Sequence, residues 1–199
     1  MTTESTLSKE TILDTAEQVL RRYGDKTNVV DVAKVLRVSH GTLYRHFASK
    51  AALLEAVTER WLHRLSLPLE AISIQQDGNP QERLRIWLET LIKSKQQSAA
   101  EDPELFVIYT AVTSQGTELI ENHLQYLITQ LSRIVQQGMN KQMFKSGEPG
   151  ATARAIFMAT VRFHHPAHAY EWNAVTKQDD FELVWQLILA GIVREDMKL

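Results

Sequence analysis

The stretch that most constrains this chain is VSHGTLYRHFASK, residues 38–50. Ser39 and Ser49 are both suited to cap a helix, and between them Leu43 and Phe47 stand four residues apart on one helical edge. So short a segment cannot bury a broad face. It has to lie against its neighbours by that narrow edge, with Val38 beneath, which leaves His40, Gly41, Thr42, Tyr44, Arg45 and His46 facing outward or sideways. The spacing predicts a short third helix from the Ser39 cap through about His46.

The flanking sequence supplies those neighbours. Ser8 can cap a first helix whose Ile12, Leu13, Ala16, Val19, Leu20 and Tyr23 share a face, with Gly24 as a left-handed stop. Thr27 or Asn28 caps a second, with Asp31 in its electropositive first turn and Val29, Val32, Ala33 and Leu36 inward. Ser49 caps a fourth, bearing Leu53, Leu54, Val57, Trp61, Leu62 and Leu65, and Pro68 is expected to kink or end it.

Longer helices follow from about residue 75. The DGNP turn at 77–80 starts one carrying Leu84, Trp87, Leu88, Leu91 and Ile92, and Asp102–Pro103 starts the next, which Gly116 ends. A long helix with apolar positions from Leu119 to Val135 closes near Gly138. The SGEPG turn at 146–150 precedes a helix rich in small residues, ATARAIFMATVRF, which HHPAHAYEW interrupts. Asp179 or Asp180 can cap a last helix through Ile192. No convincing strand or repeat is present, so the expected fold is all-α with about nine helices, divided into an N-terminal helix-turn-helix domain, 1–48, and a helical domain, 49–199.

Composition limits the possible partners. No apolar run approaches the roughly 20 residues needed to cross a bilayer, so no membrane partner is expected. The opening MTTESTLSKE is polar and reads as a loose lead-in rather than a secretory signal. Cysteine is absent, which excludes disulfides and thiolate-bound zinc and suits a reducing, cytoplasmic setting. The net charge of −2 argues at first against nucleic acid, and residues 1–60 hold nine Lys/Arg against eight Asp/Glu. DNA binding therefore requires local concentration of cations, and Lys34, Arg37, Arg45 and Lys50 cluster around the opening stretch.

Two short helices joined by a tight turn make a helix-turn-helix, whose second helix enters the major groove of DNA. At this level of detail the sequence resembles a known family. T-x-V-x-D-V-A at 27–33, followed by V-S-x-G-T-L-Y-x-H-F-x-S-K at 38–50, resembles the DNA-binding domain of the tetracycline-repressor (TetR) family of bacterial transcriptional regulators. The resemblance covers residues 8–57. It implies a homodimer on a palindromic double-stranded operator, paired through its last two helices (about 150–165 and 180–193), with a C-terminal domain that binds a small-molecule effector. By position, Thr27, Ser39, Tyr44 and Lys50 would contact phosphates, and His40, Gly41, Thr42 and Arg45 would lie nearest the base edges, with His46 on the same face. Two positions depart from the pattern: Arg37 stands where the family usually has glycine, straining the turn or adding a phosphate contact, and Ala52 replaces a capping-box glutamate.

The effector domain is less legible. The resemblance implies an apolar cavity among the middle helices. Trp87, Phe106, Tyr109, Tyr126 and Phe163 are candidate lining residues and His123 and His164 candidate polar handles, although at helical spacing plain core is the commoner role for most of the aromatics. The expected ligand is small and largely apolar. His164, His165 and His168 raise an alternative, a metal-responsive regulator or metal-dependent enzyme, but Pro166 separates them and no H-E-x-x-H pattern is present. No catalytic set and no Gly-rich phosphate loop is found, so neither an enzyme nor a cofactor is expected.

Overall fold

A computed structural model describes residues 7–172 and 177–194. Among them the α-helices are α1 Lys9–Tyr23, α2 Val29–Leu36, α3 His40–Tyr44, α4 Lys50–Ser73, α5 Pro80–Glu101, α6 Pro103–Thr113, α7 Glu118–Asn140, α8 Pro149–Ala159, α9 Val161–His164 and α10 Lys177–Ile192. Two 3-10 turns, Gly24–Lys26 and Pro166–Glu171, complete the regular structure. The fold is all-α as expected; an isolated antiparallel bridge joins Phe144 and Val193. Two compact units emerge. One comprises the residues up to His63 with Ala100–Leu119, the other Arg64–Ala99 with the residues from Ile120 onward.

In the first unit the N-caps lie largely where the sequence places them. Ser8 accepts from the Thr11 amide and Ser49 from the Ala52 amide. Of the two candidates before α2, Asn28 is the cap, in a reciprocal box with Asp31. The core joins Ile12, Ala16 and Leu20 of α1 to Val32 and Ala33 of α2, Leu43 of α3 and Leu53 and Val57 of α4. Arg60 of α4 ties itself to α1 by bonds to Glu17 and Asp14 at 2.7 Å and Glu10 at 3.3 Å. Arg21 reaches Asp102 at 2.8 Å, so this carboxylate pairs across to α1 and makes no side-chain cap on α6.

The second unit is built on Leu84, Trp87, Leu88 and Leu91 of α5, packed in one core with Leu127, Leu131, Ile134 and Val135 of α7, Ile156 and Phe157 of α8, and Phe181, Trp185 and Ile188 of α10. Trp87 is wholly buried and donates its indole N–H to Gln130 Oε1 at 3.1 Å. Past α7 the chain reverses and tucks Phe144 against Gly138.

Four boundaries differ from the sequence reading: α3 already ends at Tyr44, with Arg45 and His46 in the turn after it. Pro68 lies inside α4, which runs on to Ser73. Proline at that point costs about 3 kcal/mol, and burial of the following Leu69, with Ile72 packed beside it in the second core, offsets the loss. The stretch 151–163 is not one helix. Thr160 (φ −102°, ψ 2°) separates α8 from α9, its buried hydroxyl donating back to the Ile156 and Phe157 carbonyls at 3.1 Å. The last helix begins at Lys177, which puts Asp179 and Asp180 in its first turn rather than at its cap. Residues 1–6 of the polar lead-in lie outside the described residues.

A methyl group on Gly138 would occupy the space of the Phe144 ring. Gly138→Ala is expected to destabilise the chain by about 2 kcal/mol, in the range for overpacked cores, measured by denaturant unfolding. Adding Phe144→Leu should recover part of that loss; no change in midpoint for the single variant would contradict the packing.

Candidate functional site

The short α3 is held by few contacts, and each is visible. Arg37 takes the left-handed conformation (φ 56°, ψ 39°), the geometry that favours glycine, so the family departure at this position is strained in fact. Ser39 then caps α3, accepting from the Thr42 amide at 3.2 Å, while the two hydroxyls lie 2.9 Å apart. Leu43 and Phe47 are buried and form the anchoring edge. Arg37, Ser39, His40, Gly41, Tyr44, Arg45, His46 and Lys50 are all exposed and Thr42 is half-buried. Arg45 rests its guanidinium 3.4 Å from the Thr42 hydroxyl.

Thr27 does not join this face. It is 2% exposed and donates its hydroxyl to the Val19 carbonyl at 3.3 Å, so it closes the end of α1 from within and offers no hydroxyl to a phosphate. Sequence reading also missed the ion network of Arg60. Charged residues at positions 10, 14, 17 and 60 read individually as solvated surface, and only the crossing of α4 over α1 joins them.

The expected effector residues divide between the units. Phe106 and Tyr109 belong to the first, packed edge-on against Trp61 with ring centres 6.3 and 4.4 Å away. Trp87, His123, Tyr126, Phe163 and His164 belong to the second. There Tyr126 is exposed, while Phe163 is buried edge-on to Phe181 at 5.5 Å. His164, 4% exposed, lies against the Phe157 ring at 4.7 Å with Nε2 3.5 Å from the Thr160 hydroxyl. Burial first, and the Lys95 charge second, push both His123 and His164 down to about 3, so both imidazoles are neutral at ordinary pH.

The histidine run does not form a metal site. His164 is enclosed, His168 pairs with Glu171 at 3.2 Å, and among the described residues no group of three His, Asp or Glu side chains is placed to hold a metal ion. The metal-based alternative therefore has no support in this geometry. Among the described residues no helix is long and apolar enough to cross a membrane.

The His164 shift carries a sign. Its folded value lies below its ordinary 6.5, so as pH falls from 6.5 toward 3 the unfolded chain takes up a proton that the folded chain refuses, and stability is lost. Between about pH 7.5 and 5 the unaltered chain is expected to lose on the order of 2 kcal/mol more than His164→Gln. Parallel pH profiles in urea unfolding would contradict the burial.

Comparison with known proteins agrees with this architecture. Residues 80–185 match the family described as "Tetracyclin repressor-like, C-terminal domain", and residues 12–57 match "Bacterial regulatory proteins, tetR family". The HTH-type transcriptional regulator UidR of Escherichia coli (strain K12) is 35% identical over 77 residues, covering 36% of this chain and 39% of UidR. The matched part is thus well under half of that relative's length. Among solved structures, SmeT, the repressor of the Stenotrophomonas maltophilia multidrug efflux pump SmeDEF, superimposes with a TM-score of 0.68 at 22% identity, over 97% of this chain and 94% of that one. A SmeT–triclosan complex gives 0.63 at 20% identity, over 96% and 93%. At these identities the likeness is one of fold. The C-terminal match alone spans more than half of the sequence, and with the N-terminal match it shows that the chain belongs to the tetR family of bacterial regulatory proteins.

Proposed function

We propose that this chain is a DNA-binding transcriptional repressor that acts as a homodimer in the cytoplasm and is released from a palindromic operator by a small, largely apolar effector. The exposed face of α3, carried on the buried Leu43–Phe47 edge, is the observation that carries the reading. Residues 1–48 would form the DNA-binding domain and 49–199 the effector and dimer domain. Arg45, His40, Thr42 and Gly41 would face base edges, with Ser39, Tyr44, Lys50, His46 and Arg37 on phosphates.

Dimerisation through α8 and α10 is supported by what those helices leave uncovered. Met158 on α8 is 60% exposed, and Leu183 and Leu187, one turn apart on α10, are 71% and 72% exposed. Ala151, Ala155 and Ala159 give α8 a small-residue surface that allows close approach by a second helix. A palindromic operator would present its two half-sites to the paired α3 helices about one helical turn, roughly 34–36 Å, apart.

The effector reading rests on the second unit, whose buried aromatics surround a few polar groups. SmeT, similar in fold, is known in a complex with triclosan. An effector that prefers the arrangement with the paired α3 helices out of register weakens operator binding by its differential affinity for the two states. Helix α4 continues from the first unit into the second and is the covalent route for that coupling.

Selection of genomic fragments by the purified protein, followed by footprinting, is expected to give a protected palindrome. Arg45→Ala should weaken binding roughly tenfold or more, the value of one good base contact. A chain that protects no defined sequence would overturn the repressor reading. Leu187→Glu is expected to sediment as a monomer and lose the footprint; a persistent dimer would move the interface elsewhere.

A further inference from the structure

The first unit carries a cleft to which α3 contributes no side chain. Its volume is about 370 Å³, and Tyr23, Lys26, Asp31, Lys34 and Val35 line it, so it lies between the end of α1, the 3-10 turn that follows and the outer face of α2. Two of these side chains are apolar groups left in solvent: Tyr23 is 51% and Val35 56% exposed. The rest of the lining is mostly cationic. Lys26 is exposed and, among the described residues, makes no ion pair. Arg22, beside the cleft, rests its guanidinium on the Tyr23 ring, 5.4 Å from the centroid.

Lys34 lies 3.7 Å from Asp31, with its side chain 71% exposed. Asp31 does not depend on that contact. Its carboxylate accepts from the Asn28 amide at 3.1 Å and sits in the electropositive first turn of α2. An exposed ion pair of this kind is weak, so a phosphate oxygen can draw the Lys34 ammonium away at little cost.

The lining restricts what the cleft can hold. Walls half in solvent bury too little of a small molecule, which a pocket has to enclose over most of its surface. A charged polymer is held instead by many contacts at once. Cations beside exposed apolar groups match a sugar–phosphate backbone, whose phosphodiester faces the ammoniums while the deoxyribose lies on Val35 and the Tyr23 ring. Arg37, three residues past Lys34 at the C-cap of α2, extends the exposed cations from the cleft to the turn before α3.

This inference rests on the repressor reading above and extends its DNA surface. We propose that the cleft is a second DNA contact, in which Lys26 and Lys34 bind phosphates of the strand beside the half-site read by α3, with the Tyr23 hydroxyl as a further donor. Such a contact adds affinity and fixes the register of α3 but reads no bases.

Duplex binding by the full chain over a range of salt concentrations, with Lys26→Gln, Lys34→Gln and the double variant, tests this. Each phosphate contact contributes about 0.9 to the steepness of log K against log salt, and each lysine occurs twice in a dimer. Each single variant is expected to reduce the steepness by roughly 2 and the double variant by roughly 3–4. Operator and random duplexes should weaken by a similar factor, and hydroxyl-radical protection should be lost at the outer edges of the footprint with its centre kept. Unchanged steepness would overturn the proposal. So would a lost preference for operator over random duplex, because the lysines would then act through α3. Both side chains are exposed, and the single variants decide even if the double variant is destabilised. Random duplex separates the two readings. If no defined sequence is protected the repressor reading falls, yet the salt dependence on random duplex still decides whether the cleft binds phosphates; a protected palindrome with unchanged steepness removes the cleft alone.

Discussion

Burial of Leu43 and Phe47 is the constraint on which the site depends. A five-residue helix has almost no stability of its own, because too few hydrogen bonds repay the entropy of forming it. Here α3 persists because its Leu43, with Phe47 just past its carboxyl end, is buried and Ser39 closes its amino end. Beyond that edge His40, Gly41, Tyr44, Arg45 and His46 are exposed. Arg37 in the left-handed turn sets the direction of α3 and stores strain there, and the bonds of Arg60 to three carboxylates of α1 fix the helix that follows.

Charge explains how a chain of net −2 is reconciled with a nucleic-acid role. Phosphate neutralisation dominates non-specific affinity, and this surface offers few cations per protomer: Lys34 is partly spent on Asp31 at 3.7 Å, and Arg45 leans on Thr42. On the proposed reading non-specific binding would be weak, with discrimination left to the side chains proposed to face bases and to the proposed pairing of two copies. In the second unit the electrostatic logic is reversed. One buried ammonium and neutral imidazoles sit in an apolar core, where each charge or dipole counts for more than it does in water.

Local signals were the legible part. Caps at Ser8, Ser39 and Ser49, the turn glycines and the Leu43–Phe47 spacing depend on neighbours within a few residues, and sequence displays them directly. What escaped depends on tertiary packing. Pro68 continues a helix because the next turn is buried; Thr160 ends one because its hydroxyl competes for the carbonyls behind it. Thr27 looks like an exposed hydroxyl beside a helix start, yet it points back to Val19. Phe106 and Tyr109 carry the same aromatic signal as Trp87 and Phe163 but belong to a different compact unit, a partition that no periodicity reveals.

In the proposed repressor α3 and the turn before it form the surface that meets DNA. Amide hydrogen exchange of the full chain, with and without a selected operator duplex, measures this segment by segment. New protection on the DNA is expected to be concentrated in residues 37–50. Protection lying elsewhere, with 37–50 exchanging at the same rate in both states, would contradict it.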